Sequence, residues 1–170
     1  MKKVIVLVST LLFASLASAE FKMAYVDIHQ AIEKSAMGKK AKDEMKKEAE
    51  KKNKELEKKK ADLDKMGEDI EKKKSVLSEE ALQKRGQEFQ MEAQKFRETV
   101  SKAQAELAKK ENELLEPIVT KVKSVIEKIS KEKGISMVIQ SNQNAQIVLY
   151  ANAESNLTDE VVKALEKDSK

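Results

Sequence analysis

The chain has 170 residues, of which 38% are charged and 4% aromatic, with 34 Lys plus Arg against 30 Asp plus Glu. These proportions fit one small domain joined to something charged and extended. Four Gly and one Pro exclude a loop-rich fold or a long flexible linker, and the absence of Cys and Trp excludes a disulfide framework, a Cys-ligated zinc site and thiol redox chemistry.

Residues 1–19 read as a cleaved secretory signal. Lys2 and Lys3 make a basic start, residues 4–17 are mostly apolar, and Ala17, Ser18 and Ala19 offer the small side chains a signal peptidase reads. An uncleaved anchor is the alternative, but the apolar run is short for a membrane-spanning helix. With Glu20 as the first mature residue, the working chain would carry 32 basic and 30 acidic side chains.

Residues 21–27 alternate Phe21, Met23 and Tyr25 on one side and predict a strand. A short helix is expected over 28–35, after which Gly38 permits a change of direction. From there the composition changes: residues 39–115 hold 41 charged and 23 apolar side chains in 77, whereas residues 20–38 with 116–170 hold 21 charged and 32 apolar in 74. The ends can build a small core. The middle cannot.

The middle has a heptad pattern instead. Ala49, Leu56, Leu63, Ile70 and Leu77 recur every seven residues, with Met45 and Met66 on the complementary row together with Lys52, Lys59 and Lys73. After a break at 74–78, Leu82, Phe89, Phe96 and Ala103 form a second series, completed by Ala93, Val100, Leu107 and Leu114. Two such stripes zip into an antiparallel coiled-coil hairpin, each arm about 55 Å long. Ser78 before Glu79 and Glu80 is a helix start, since its hydroxyl can accept a free first-turn amide and the acids complement the dipole. Lysines at seam positions predict a thin, bendable seam, with Gly67 and Gly86 as candidate flex points.

Pro117 should kink or restart the helix where the second arm meets the body. Ile118, Val122, Val125, Ile126 and Ile129 then form an amphipathic face, and Gly134 is a natural stop. Residues 135–140 and 146–150 are β-type runs joined by a hairpin-like connection at 141–144. A last helix starts at Thr158, its expected N-cap. The fold class is α+β with helix dominant. A core of three strands and short helices is marginal, and self-association through sheet edges would support it.

Chemistry is sparse. His29, the one histidine, sits alone in a short helix, and no Ser or Cys lies in a nucleophile motif. Gly38-Lys39-Lys40 lacks the rest of a phosphate loop. Acids interleave with lysines at helix spacing, the pattern of solvated ion-pair faces. No catalytic residue, metal site or cofactor is expected. Lys72, Lys73 and Lys74 at the hairpin tip could draw acidic polypeptide or anionic lipid headgroups, or simply keep the tip solvated. Nucleic acid is not an expected partner, because the chain has neither an aromatic platform nor a basic recognition helix.

The ordered features resemble the Skp, or OmpH-like, family of periplasmic chaperones. The match rests on Met23-Ala24-Tyr25-Val26-Asp27, Gly38-Lys39-Lys40, Ser75-Val76-Leu77-Ser78-Glu79-Glu80-Ala81, Val138-Ile139, Leu149-Tyr150-Ala151 and Leu157-Thr158-Asp159-Glu160-Val161. It spans nearly the whole chain after residue 19.

The resemblance implies a homotrimer with a β-rich trimerisation hub, here residues 20–38 and 116–170, and three helical tentacles, here residues 39–115, around a cavity. Such proteins hold unfolded outer-membrane proteins in the periplasm without ATP. Hub contacts would fall to Met23, Tyr25, Val138, Ile139, Val148, Leu149 and Tyr150. Cavity or seam positions would be Met66, Ile70, Val76, Leu77, Leu82, Phe89, Met91 and Phe96, with Lys72, Lys73 and Lys74 as steering charge. Many weak contacts would then sum to firm enclosure of a client. Two other readings stand beside this one: a passive structural coiled coil of the envelope, and a binder of anionic lipid surfaces using the first arm, with 15 basic against 11 acidic residues over 39–74.

Overall fold

The computed structural model describes residues 21–141 and 148–167. The proposed signal segment 1–19, most of the 141–144 connection and the start of the 146–150 run lie outside them. The elements in chain order are β1 (Met23–Val26), α1 (Ile28–Lys34), α2 (Ala36–Lys73), α3 (Glu79–Lys133), β2 (Met137–Gln140), a 3-10 turn (Ala153–Ser155) and α4 (Thr158–Lys167). The result is a helix-dominant α+β fold. None of the described helices is long and apolar enough to cross a membrane.

α2 and α3 make the hairpin. At 1.5 Å per residue, α2 is about 57 Å long and α3 about 80 Å. Residues 74–78 form the tip, and Ser78 caps α3 by accepting from the Ala81 N–H at 3.3 Å. The seam side chains Leu56, Leu63, Ile70, Leu82, Phe89 and Phe96 are only half-buried, whereas Ala41 and Ala103 are buried. The thin seam is bridged by charge as well: the Lys52 ammonium reaches Glu106 across the arms at 2.6 Å, and Arg85 reaches Asp69 at 2.9 Å.

The direction change before the first arm falls at Ser35, three residues earlier than expected. Ser35 is extended (φ −71°, ψ 152°), closes α1 through its N–H and opens α2 by accepting from the Gly38 N–H at 3.0 Å. Gly38 therefore lies inside the first turn of α2. Its requirement is closeness: a Cβ there would sit 1.8 Å from the Ile32 carbonyl oxygen.

Pro117 does not restart the helix; α3 runs unbroken from the tip into the body. The ring removes the N–H that would have met the Glu113 carbonyl, but both residues are exposed, so water can take that acceptor. Ile118 and Val122, buried directly beyond it, hold the helix to the core. Gly134 ends α3 in the left-handed region (φ 64°), as its position predicts.

β1 and β2 pair in parallel, Met23 opposite Met137 and Tyr25 opposite Ile139. A parallel pair needs a crossover, and the whole hairpin serves as one. The expected third strand is absent among the described residues: residues 148–150 are not a strand, and β1 instead meets Asn156 in an isolated bridge. Leu157 donates its N–H to the Tyr25 carbonyl at 2.9 Å, so the stretch before α4 occupies that edge.

The core joins Ala24 and Val26 of β1 and Ala31 of α1 to Ile118, Val122, Val125 and Ile129 of α3 and Leu157, Val161 and Leu165 around α4. Thr158 is not the N-cap of α4 but its first residue. Its buried Oγ1 accepts from the Asp27 N–H at 3.0 Å, while Asn156 Oδ1 accepts from the Thr158 N–H at 3.0 Å. One turn thus ties α1 to α4.

Candidate functional site: exposed apolar surfaces on the hairpin and the sheet

The expected site residues fall into four places. Met66 and Phe96 line a cavity of about 230 Å³ between the arms, with Leu63 on the same wall and Lys59, Asp62, Glu92 and Lys95 at its rim. Lys95 bonds Glu92 at 2.6 Å, which raises the lysine pKa.

Phe89 and Met91 flank an open concavity of about 600 Å³ on α3, lined also by Gln87, Gln90 and Gln94. Phe89 packs toward the other arm, because a Cβ on Gly67 would meet its ring at 3.4 Å. A side-chain methyl at Gly67 would rest in ordinary contact with that ring. Met91 lies off the seam and is 56% exposed.

The tip holds Ile70, Leu77 and Leu82, all half-buried, and Val76, which is 78% exposed. Each tip lysine is paired with an acid on its own helix turn: Lys72 with Glu68 at 3.2 Å, Lys73 with Asp69 at 2.6 Å and Lys74 with Glu71 at 3.9 Å. The Lys73 hydrogen bond, with Arg85 and Lys72 adding to it, holds the Asp69 carboxyl below the usual carboxylate range. The local field of the three lysines is accordingly reduced.

The fourth place is the outer face of the sheet. Met23, Tyr25, Ile139, Val148, Leu149 and Tyr150 line one concavity of about 550 Å³. Leu149 and Tyr150 are 88% and 86% exposed. Val138 points the other way and packs against the core, since residues along a strand alternate faces and its partner Ala24 is buried. Phe21 and Met137 extend the exposed apolar surface of the body. Met137 was missed in the sequence because its alignment with Met23 depends on a register set by the distant crossover.

His29 is exposed on α1 with its Nδ1 3.7 Å from Glu33. Among the described residues no group of His, Asp or Glu could hold a metal ion.

The model of the family described as outer membrane protein (OmpH-like) matches residues 22–165. The chain belongs to the OmpH-like family. A crystal structure from Caulobacter crescentus CB15, of a protein named as an outer membrane chaperone (OmpH-like), shares the fold of this OmpH-like chain. Its TM-score is 0.74 at 21% identity, covering 87% of this chain and 85% of that one. No curated protein matches significantly.

Proposed function

We propose that this OmpH-like chain is an ATP-independent holdase chaperone of the periplasm, which binds unfolded outer-membrane β-barrel proteins between helical arms and keeps them from aggregating until insertion. The observation that carries this reading is the half-buried seam: apolar side chains stay partly accessible along two long rods whose remaining surface is mostly polar. An unpaired barrel strand exposes alternating apolar residues and free backbone groups that template aggregation. Scattered weak contacts along bendable arms shield it, and their sum is strong because all sit on one scaffold. Membership in the OmpH-like family and the fold shared with the Caulobacter protein support a chaperone role.

The body is the assembly point in this proposal. Parallel sheets are normally covered on both faces, yet here the inner face meets the core and the outer face carries Met23, Tyr25, Met137 and Ile139 with nothing of the described chain packed over it except the exposed Leu149 and Tyr150 segment. Copies of the same chain, three by family resemblance, would cover it and set the arms around a shared cavity. The paired state of the tip lysines favours this reading over an anionic-lipid surface.

The test is light scattering of a denatured outer-membrane β-barrel protein diluted into this protein, with mass measured in parallel. Suppressed aggregation by an oligomer supports the proposal. Unchanged aggregation rejects it and leaves a structural coiled coil, and steeply salt-dependent binding to anionic vesicles without protection favours the lipid reading.

A further inference from the structure

The two arms differ in the surface they offer to solvent. Between residues 39 and 73, every exposed residue is charged except Asn53 and Ala61. α3 is built otherwise. Gln83, Gln87, Gln90, Gln94, Ser101 and Gln104 are all exposed and recur at alternating steps of four and three, broken only where a step of seven passes over Arg97. Each lies one residue beyond a seam position such as Leu82, Phe89 or Ala103, which places the series about 100° around the helix from the seam. Apart from Arg97, this second heptad stripe carries no charge. Neither burial nor seam packing accounts for it, since its members face water.

The open concavity of about 600 Å³ lies on this stripe. Gln87, Gln90 and Gln94 run through it, with Phe89 and Ala93 on the seam side, Met91 on the other and Arg97 as its one charged lining residue. The Gln94 amide N–H is engaged with Glu98 Oε1 at 3.1 Å, a helix-surface bond that water or a ligand can replace.

We propose that this lane of glutamine amides is where α3 binds the extended main chain of an unfolded polypeptide, reading the peptide groups and not the side-chain charges. A glutamine offers both N–H donors and a carbonyl acceptor, the same two functions that an unpaired strand presents along its backbone. Gln87 and Gln94 are about 10.5 Å apart along the helix, roughly the span of three strand residues. The peptide backbone is uncharged, so the amide stretch from Gln83 to Gln94, which ends at Arg97, complements it, whereas a lysine or glutamate within that stretch would lose more hydration on docking. Phe89 and Met91, flanking the amides, suit the alternating apolar side chains of a barrel strand. The inference rests on the chaperone reading and adds to it the chemistry of one contact surface.

The experiment uses the full chain and a labelled twelve-residue peptide of alternating Val and Thr, alone or N-methylated at alternate amides, with binding followed by anisotropy. The variant is Gln87→Ala, Gln90→Ala and Gln94→Ala together. Alanine raises helix propensity at these exposed sites, and unchanged circular dichroism verifies the fold. N-methylation should weaken binding to the wild type roughly tenfold, from the loss of one or two net hydrogen bonds. The variant should bind the unmodified peptide that much more weakly and no longer distinguish the two peptides, with little dependence on salt. If the wild type ignores N-methylation, or if the variant distinguishes the peptides as well as the wild type does, the lane is not a main-chain site. Loss of the chaperone reading shows separately, as failure of the wild type to suppress aggregation of a denatured barrel protein.

Discussion

The Lys52 ammonium and the Glu106 carboxylate, 54 positions apart in the chain, meet at 2.6 Å across the two arms, and Lys52 sits where a heptad would ordinarily place an apolar residue. The bond to Glu106 raises the Lys52 pKa, and the same bond holds Glu106 below the usual carboxylate range. With Arg85 and Asp69 nearer the tip, it holds the register of a seam that has little apolar area to do so.

The pH dependence of the hairpin follows. Glu106 and Asp69 have lowered folded pKa values, so their contribution is complete above the ordinary carboxylate range and is lost as pH falls through those lowered values. Lys52 has a raised value, so its contribution is complete below the ordinary lysine range and is lost as pH rises through the raised value. Thermal melting followed at 222 nm should be flat across neutrality and fall at both extremes. Glu106→Gln should lower it by about 1–3 °C at neutral pH and low salt, flatten part of the acid limb, and make little difference in high salt.

Glycine substitutions should separate by environment. Gly38→Ala places a Cβ against the Ile32 backbone and should cost more than about 2 kcal/mol in urea unfolding. Gly86→Ala meets nothing within 4 Å in a helical position and should stabilise by roughly 1 kcal/mol. Gly134→Ala has open space but a left-handed backbone (φ +64°), and should cost about 1–2 kcal/mol.

Thr158→Val keeps the shape and removes the acceptor for the Asp27 N–H, leaving a partly buried donor unpaired. The expected loss is about 1–3 kcal/mol, with faster hydrogen exchange at the Asp27 amide than at the α2 amides. Equal protection in variant and wild type would show that the bond does not hold α1 to α4.

The sheet face is tested by Leu149→Asp. Leu149 is almost fully exposed in the single chain, so the change should leave the fold and its melting intact. If the outer face is the joint between copies, sedimentation should show the oligomer falling to monomer at micromolar concentration, and protection of clients should fall with it.

Local features were legible in the sequence. The heptads of residues 45–77 and 82–114, the Ser78 start and the Gly134 stop all appear in the structure, because each depends on neighbours within a turn or two. Most of the misreadings concern partners far away in the chain. Gly38 is the near exception: it looked like the turn, but Ser35 turns the chain first and brings the Ile32 carbonyl against Gly38. Pro117 was expected to kink or restart the helix; that α3 does not restart there depends on the exposure of Pro117 and on the grip of Ile118 and Val122 on the core, which follow from how α3 docks. Residues 146–150 read as a strand from their pattern. Within the single chain, however, the residues before Leu157 take the place on the edge of β1.

The glutamine lane was present in the sequence as a heptad offset by one residue from the seam. It becomes visible when uncharged positions are followed in place of apolar ones. What the sequence determined by itself is therefore periodic and short in range: two charged rods, their caps and the apolar positions of a small core, because side-chain spacing of seven residues and capping chemistry act over one or two turns. The tertiary structure alone decided that β1 and β2 lie parallel with Met23 beside Met137. It also decided that Val138 faces inward while Tyr25 and Ile139 face out, and that Lys52 finds Glu106. Those outcomes depend on where a long hairpin returns the chain, a distance over which local preference carries no information.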